Sequence, residues 1–182
     1  LAVMAAVGVL AVQPADAKKV QQDPVVSPIE MPMNDEIQQV NGVSKATNKE
    51  TQRLSNKLAD ATKAMVKKNW KTIYVKAVPT GDKAAVRFYY VDTRGQVHNG
   101  QVIRNTGLSK GKYMTGSLRQ AEALQELVNH LERTGQEVPS SIDIIITQGG
   151  YRSKTIFNYD EDTSNLPAYQ QQYEQQNFPT MK

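Results

Sequence analysis

Apolar residues recur along this chain with two different periods. Between residues 44 and 68, Leu54, Leu58, Ala61 and Met65 stand at i, i+4, i+7 and i+11 with Lys, Asn, Asp and Gln between them, the signature of a helix with one apolar stripe. From Trp70 to Val78 the pattern alternates, with Trp70, Thr72, Tyr74 and Lys76 on one side and Ile73, Val75 and Ala77 on the other, which predicts a strand. A Pro-Thr-Gly-Asp turn and a strand over 84–92 complete a hairpin, and a short third strand is expected over 96–104 after Thr93-Arg94-Gly95. The stretch 105–116 holds three glycines with Ser and Lys and reads as a mobile surface loop. Ser117-Leu118-Arg119-Gln120 fits a capping box, and Leu118, Ala121, Leu124, Leu127, Val128 and Leu131 keep helical spacing until Gly135 supplies a stop. Ser141 to Thr147, a turn at Gln148-Gly149-Gly150 and a strand over 151–159 form a second hairpin, and Leu166 to Phe178 can form a last helix rich in Gln and Tyr.

The expected fold class is therefore α+β. An antiparallel sheet is built from two hairpins plus an extra strand, with two main amphipathic helices packed on one face and a short C-terminal helix. Residues 44–182 make one such domain.

What precedes residue 44 has another character. Leu1 to Val12 is almost wholly apolar and is followed by the small-x-small triplet Ala15-Asp16-Ala17, which has the form that a signal peptidase accepts. Residues 1–17 are therefore expected to be a cleavable signal peptide, cut between Ala17 and Lys18. A run of about a dozen apolar residues falls short of the ~20 needed to span a bilayer, so a permanent membrane helix is the weaker reading. Residues 18–43, rich in Pro and Gln, lack any period and read as a disordered leader; alternatively Val25, Val26, Ile29 and Met31 dock on the body as a strap.

The composition narrows the chemistry. With no cysteine, a disulfide framework, a thiolate metal site, a cysteine nucleophile and a lipidated cysteine anchor are all excluded. Export without disulfides points to a bacterial periplasm. The net charge of +4 becomes +5 once Asp16 leaves with the signal peptide, a mild balance. Lys63, Lys67, Lys68, Lys71 and Lys76 cluster near Trp70 and Tyr74, but lysines at a helix C-terminus complement its dipole without any partner, so no nucleic acid is expected. Only His98 and His130 could serve as imidazole bases. His130 falls on the flank of the helix over 117–134, and His98 sits in a His-Asn-Gly turn with no neighbouring acid. Their spacing fits no zinc site, and the glycines at 107, 111 and 116 lack a phosphate-cradle pattern. No catalytic residue, metal or cofactor is expected.

Along the body stand Trp70 with Ile73-Tyr74-Val75, the aromatic strand Val86-Arg87-Phe88-Tyr89-Tyr90 and the helix over 117–134, followed by Gly135-Gln136-Glu137-Val138-Pro139, Ile142-Asp143-Ile144-Ile145-Ile146 and Ile156-Phe157-Asn158-Tyr159-Asp160. This pattern resembles that of the YezG-like family of immunity proteins, which neutralise bacterial toxins. The resemblance covers residues 50–175 and departs from the family pattern at Pro139, where a tryptophan is suggested, and in carrying a signal peptide. It implies a periplasmic immunity protein whose partner is a cognate toxin acting outside the cytoplasm, such as a secretion-system effector directed at cell wall or membrane. The alternative is a non-catalytic periplasmic binding or adaptor protein in envelope assembly. For either binder the candidate contact residues are Tyr89, Tyr90, Asp92 and Asp160-Glu161-Asp162, able to plug a cationic cleft, with Tyr151 and Arg152 at the glycine turn.

Overall fold

The computed structural model describes residues 44–80, 83–149 and 153–181. The proposed signal peptide and leader, the tip of the first hairpin and the turn holding Tyr151 and Arg152 lie outside them. Helix α1 spans Lys45–Lys63 and begins at Ser44, whose Oγ accepts the Thr47 N–H at 3.1 Å, which satisfies one of the free amides of the first turn. Leu54 and Leu58 from its apolar stripe are buried, and Met65 just beyond the helix joins them.

Strands β1 (Trp70–Thr80) and β2 (Lys83–Asp92) pair antiparallel with Val75 opposite Phe88 and Ile73 opposite Tyr90. The second hairpin, β4 (Ser141–Thr147) and β5 (Lys154–Asn158), joins the first along β1, where Ile146, Ile144 and Ile142 face Ile73, Val75 and Ala77. With β3 (Val97–Asn99) outside β2, the order is β3-β2-β1-β4-β5. The chain is thus α+β with an antiparallel five-stranded sheet, as its pattern predicts.

The segment after β3 departs from expectation. The third strand ends at Asn99, and part of the stretch expected to extend it instead forms a single helical turn, α2 (Ile103–Thr106). The expected mobile loop is also largely helical, because α3 runs over Lys110–Arg133. Its cap is Ser109, whose Oγ accepts the Lys112 N–H, so Ser117 lies inside the helix and the capping box there is not used. Glycine composition had argued for a loop, yet Tyr113 packs against the core and its hydroxyl donates to the Gly100 carbonyl at 2.8 Å. Tertiary contact outweighs the penalty of about 1 kcal/mol per helical glycine. The stop is placed as expected, with Gly135 at φ +72° after Arg133.

Helices α1 and α3 cover one face of the sheet. Leu54, Leu58, Leu124, Leu127 and Leu131 meet Ile73, Val75, Phe88, Ile142 and Ile144, all buried, and each such side chain stabilises the fold by about 1.5–3 kcal/mol. Gly100 belongs to this packing, since a Cβ there would overlap the Phe88 ring.

The last helix, α4 (Leu166–Asn177), lies on the opposite face. Tyr173 and the following Phe178 pack on Tyr89, with the Phe178 ring centroid 4.8 Å from Tyr89 and 5.5 Å from Tyr74. Beneath this cover Lys76 and Asp143 are each 3% exposed, with Nζ and Oδ2 3.2 Å apart. Alternation had put Lys76 on the outward side of β1; that side is inward because α4 roofs it. Asp143 also accepts from Asn158 Nδ2 at 2.7 Å, and the Lys76 ammonium lies 4.9 Å from the Tyr173 ring centroid. Burial opposes the Lys76 charge, but the Asp143 and Glu161 carboxylates more than offset it, so its pKa lies above the ordinary lysine value.

Replacing Lys76 by Ala strands a buried carboxylate and is expected to cost about 3–5 kcal/mol in urea unfolding. The double change Lys76→Met with Asp143→Leu should recover most of that loss. A double variant as unstable as Lys76→Ala would show that the pair itself, and not relief of an unpaired charge, carries the stability. Gly100→Ala should cost about 1–3 kcal/mol in the same assay through overpacking against Phe88.

Candidate functional site

Both histidines are held by the fold. The β2–β3 hairpin brings His98 Nε2 to 2.8 Å from Asp92 Oδ2, although six positions separate them in the chain, so the expectation of a histidine without a neighbouring acid is corrected. Asp92 Oδ1 also accepts the backbone N–H groups of Arg94 and Gln96. The bond from His98 and the Gln96 amide hold the Asp92 carboxyl at a pKa of about 2. The His98 ring lies against Tyr90, with centroids 4.7 Å apart. The arrangement ties the hairpin together.

His130 is not a helix-flank residue but buried, 3% exposed, between α3 and α1. Its Nε2 is 2.8 Å from Thr51 Oγ1, and that hydroxyl donates its single hydrogen to the Thr47 carbonyl. Burial pushes the His130 pKa below its ordinary value. Among the described residues no group of three His, Asp or Glu side chains could hold a metal ion.

The residues singled out for partner contact do not come together. Tyr89 is fully buried and its hydroxyl donates to Glu174 on α4 at 2.7 Å, while Tyr90 is 2% exposed and its hydroxyl donates to the Asn105 carbonyl at 2.6 Å. Strand alternation put one of these neighbours outside, but with helices on both faces β2 has no open side at this point. Asp92 stands opposite Trp70 at the start of β1, whereas Asn158, just before the acidic run, faces Ser141, whose neighbour Ile142 faces Ala77 near the other end of β1. The two hairpins run in opposite senses, so Asp92 and Asp160-Glu161-Asp162 lie at opposite ends of the sheet and form no single acidic plug.

Within the acidic run the three residues differ in role. Asp160 is exposed and adopts φ +64°, and its charge, after burial, raises the pKa of Glu137. Asp162 accepts from the Ser164 hydroxyl and N–H, which lower its pKa. Glu161 is a structural acceptor, taking hydrogen bonds from the Ser141 and Tyr169 hydroxyls while its own N–H donates to Ser140 Oγ. Through Ser141 and Asn158 it connects to Asp143, so this acid fastens the roof over Lys76.

A broad concave feature lies elsewhere, between α1 and α3. Helices α1 and α3 run antiparallel: Thr51 meets His130, Lys57 pairs with Glu126 at 2.8 Å, and Thr62 Oγ1 accepts from Gln120 at 2.9 Å. Along this seam, toward the end of α1 and the start of α3, opens a groove of about 870 Å³. Its floor is made of Ala61, Ala64, Met65, Leu108, Gly116 and Ala123. Gly116 is required there, because a Cβ would overlap the Met65 sulfur. Lys67, Lys112, Arg119 and Glu122 stand on the rim, where Lys57 and Asp60 are already engaged by Glu126 and Lys63. Met114 and Leu118, one turn apart on α3, are 59% and 60% exposed, and Leu118 lies on the same helical stripe as the groove residues Gly111 and Glu122. Sequence reading missed this groove because the glycines hid the first two turns of α3. Tyr113, Gln120, Leu124, Leu127 and Leu131 had already carried the helical period back to that point.

Compared with known proteins, the chain matches one family model, described as "Immunity protein YezG-like", over residues 51–181. That span runs from α1 through α4 and takes in every strand of the sheet. No curated protein matches the chain.

Because His130 is neutral in the fold and protonates more readily in the unfolded chain, unfolding takes up protons below the ordinary histidine pKa of about 6.5. Stability should fall as pH drops from about 7 through the lowered folded-state value. His130→Gln, whose amide can still hydrogen-bond Thr51, should flatten that decline in urea midpoints measured across the range; an unchanged pH profile would assign it to another group.

Proposed function

The chain belongs to the YezG-like family of immunity proteins, and on that premise we propose that it binds a cognate bacterial toxin outside the cytoplasm and blocks it. The observation that carries this reading is the extent of the family match, which takes in every strand and, apart from the first six residues of α1, every helix among the described residues. The chemistry of the body agrees with a binder: His98 and His130 are bonded to Asp92 and Thr51 and serve the architecture. Neutralisation then rests on occupancy. One inhibitor silences one toxin for as long as the complex lasts, so slow dissociation and not turnover sets protection.

The location belongs to the proposal too. Residues 1–17 have the apolar run and Ala15-Asp16-Ala17 triplet of an exported precursor. Among the described residues no helix is long and apolar enough to cross a membrane. A toxin met in the periplasm would attack the cell wall or the membrane, and an inhibitor made in the cytoplasm must be exported to reach it.

The test begins with the toxin-like product of the neighbouring gene, directed to the periplasm of a sensitive host. Co-expression of the full chain should restore growth, and the two proteins should co-purify in a fixed, near-equimolar ratio. A Val9→Asp, Leu10→Asp variant, impaired in export, should fail to protect while its cytoplasmic form still binds the toxin in vitro. Protection by the export-defective variant would overturn the periplasmic assignment, and absence of any complex with the wild-type chain would overturn the immunity reading.

A further inference from the structure

The groove between α1 and α3 has the features of an unfilled helix seat. Its floor is small and apolar, with Ala61 and Ala64 on or next to α1 and Gly116 and Ala123 on α3. Small side chains on two antiparallel helices leave a trough into which the ridge of a third helix can settle at the usual interaxial spacing of about 8–10 Å. Beside it, Leu118, on the helical stripe of the groove residues Gly111 and Glu122, and Met114 one turn earlier expose apolar surface on α3, an addition to the apolar patch that a partner can cover.

The rim gives the sign of that partner. Lys57 is neutralised by Glu126 and Asp60 faces Lys63 at 3.7 Å. Lys67, Lys112 and Arg119 remain, and among the described residues none of the three makes an ion pair. Against them the rim sets one carboxylate without an ion pair, Glu122. An occupant that places carboxylates beside its apolar ridge meets three cations, and a basic one meets the same three as repulsion.

We propose that this groove receives an acidic amphipathic helix of the toxin, whose apolar residues lie on the Ala61, Ala64, Met65 and Gly116 floor while its carboxylates pair with Lys67, Lys112 and Arg119. The assignment rests on the immunity reading for the identity of the partner, but the chemistry of the seat does not. The acidic corner at Asp160 and Asp162 has no part in it.

Two measurements separate the seat from the function. In the first, the full chain is titrated into a fluorescently labelled designed helix of about 20 residues, long enough to populate the helical state, with leucines along one face and glutamates elsewhere. A twin carrying lysines in place of the glutamates is the control. The acidic peptide should bind at least about tenfold more tightly than its twin, and both Ala64→Trp, which fills the trough, and Lys112→Glu with Arg119→Glu should remove that preference. Thermal unfolding of each variant confirms that it is folded; Ala64 is exposed, so the tryptophan does not enter the core. Equal binding of the two peptides, or an undiminished preference in the folded variants, overturns the proposal.

In the second, the same variants are titrated with the neighbouring-gene toxin, with Asp160→Asn and Asp162→Asn as the comparison. The groove variants should lose at least about tenfold in affinity and the acidic-corner variant should not. Toxin binding retained by the groove variants overturns the seat and leaves the immunity reading in place. Peptide binding as expected with no toxin binding by the wild type overturns the immunity reading and leaves the seat. A concentration-dependent dimer lost in Ala64→Trp would assign the groove to a second copy. A carbodiimide cross-link from Lys112 to Asp23, Glu30, Asp35 or Glu36 of the same chain would assign it to the chain's own N-terminal segment, and either result overturns the toxin as occupant.

Discussion

The pairing of Lys76 with Asp143 in the middle of the sheet sets what the remainder of the chain must supply. An ammonium and a carboxylate taken out of water lose several kcal/mol of hydration each, and one contact of 3.2 Å does not replace it. The rest comes from neighbours. Asn158 donates to Asp143 and to Ser141, Ser141 donates to Glu161, Tyr169 donates to the same carboxylate, and the Tyr173 and Tyr169 rings face the ammonium. A second set beside it joins Arg87, Tyr89 and Glu174. Together these bonds draw β1, β2, β4, β5 and α4 into one layer, and without the helix over them the pair would stand in water.

The two faces of the sheet are therefore held by different physics. Under α1 and α3 the contact is aliphatic and aromatic, tolerant in direction and dependent on filled volume. Under α4 it is aromatic and ionic, and it demands that each donor find its acceptor. That contrast explains how much of the fold could be read from the chain. Leu54 with Leu58 and Leu124 with Leu127 and Leu131 display the helical period openly, and Ile142, Ile144 and Ile146 display the strand. Lys76, Asp143 and Glu174 look like ordinary surface residues in a linear pattern, because the cover that buries them arrives about 90 residues later than Lys76. The last helix was legible as a helix, but its side of the sheet was not.

The candidate contact residues fared unevenly for a related reason. Tyr89 and Tyr90 were offered as displayed aromatics, and their exposure depended on one face of β2 being open. With both faces covered, each finds an internal acceptor, Glu174 or Asn105. The distance between Asp92 and Asp160 follows from hairpin sense, which no local pattern contains: β1 pairs antiparallel with β4 and so turns the second hairpin over relative to the first. The helical period of α3 is visible in residues 113–131, but the glycines at its start argue for a loop. The relation of His98 to Asp92 needed the third strand in register.

The brevity of the outermost strands limits how this protein can recognise anything. Among the described residues Val97–Asn99 and Lys154–Asn158 offer three and five residues of edge, a short ladder for a partner that adds itself as another strand. Backbone pairing is nearly blind to side-chain identity, since every amino acid but proline offers the same donor and acceptor. A molecule that leaves little edge for it must discriminate through side chains. On the proposal that the groove between α1 and α3 is the seat, partner preference would change by exchange of a few surface residues on those two helices while the sheet beneath stays as it is, a useful division of labour where related partners differ by small changes.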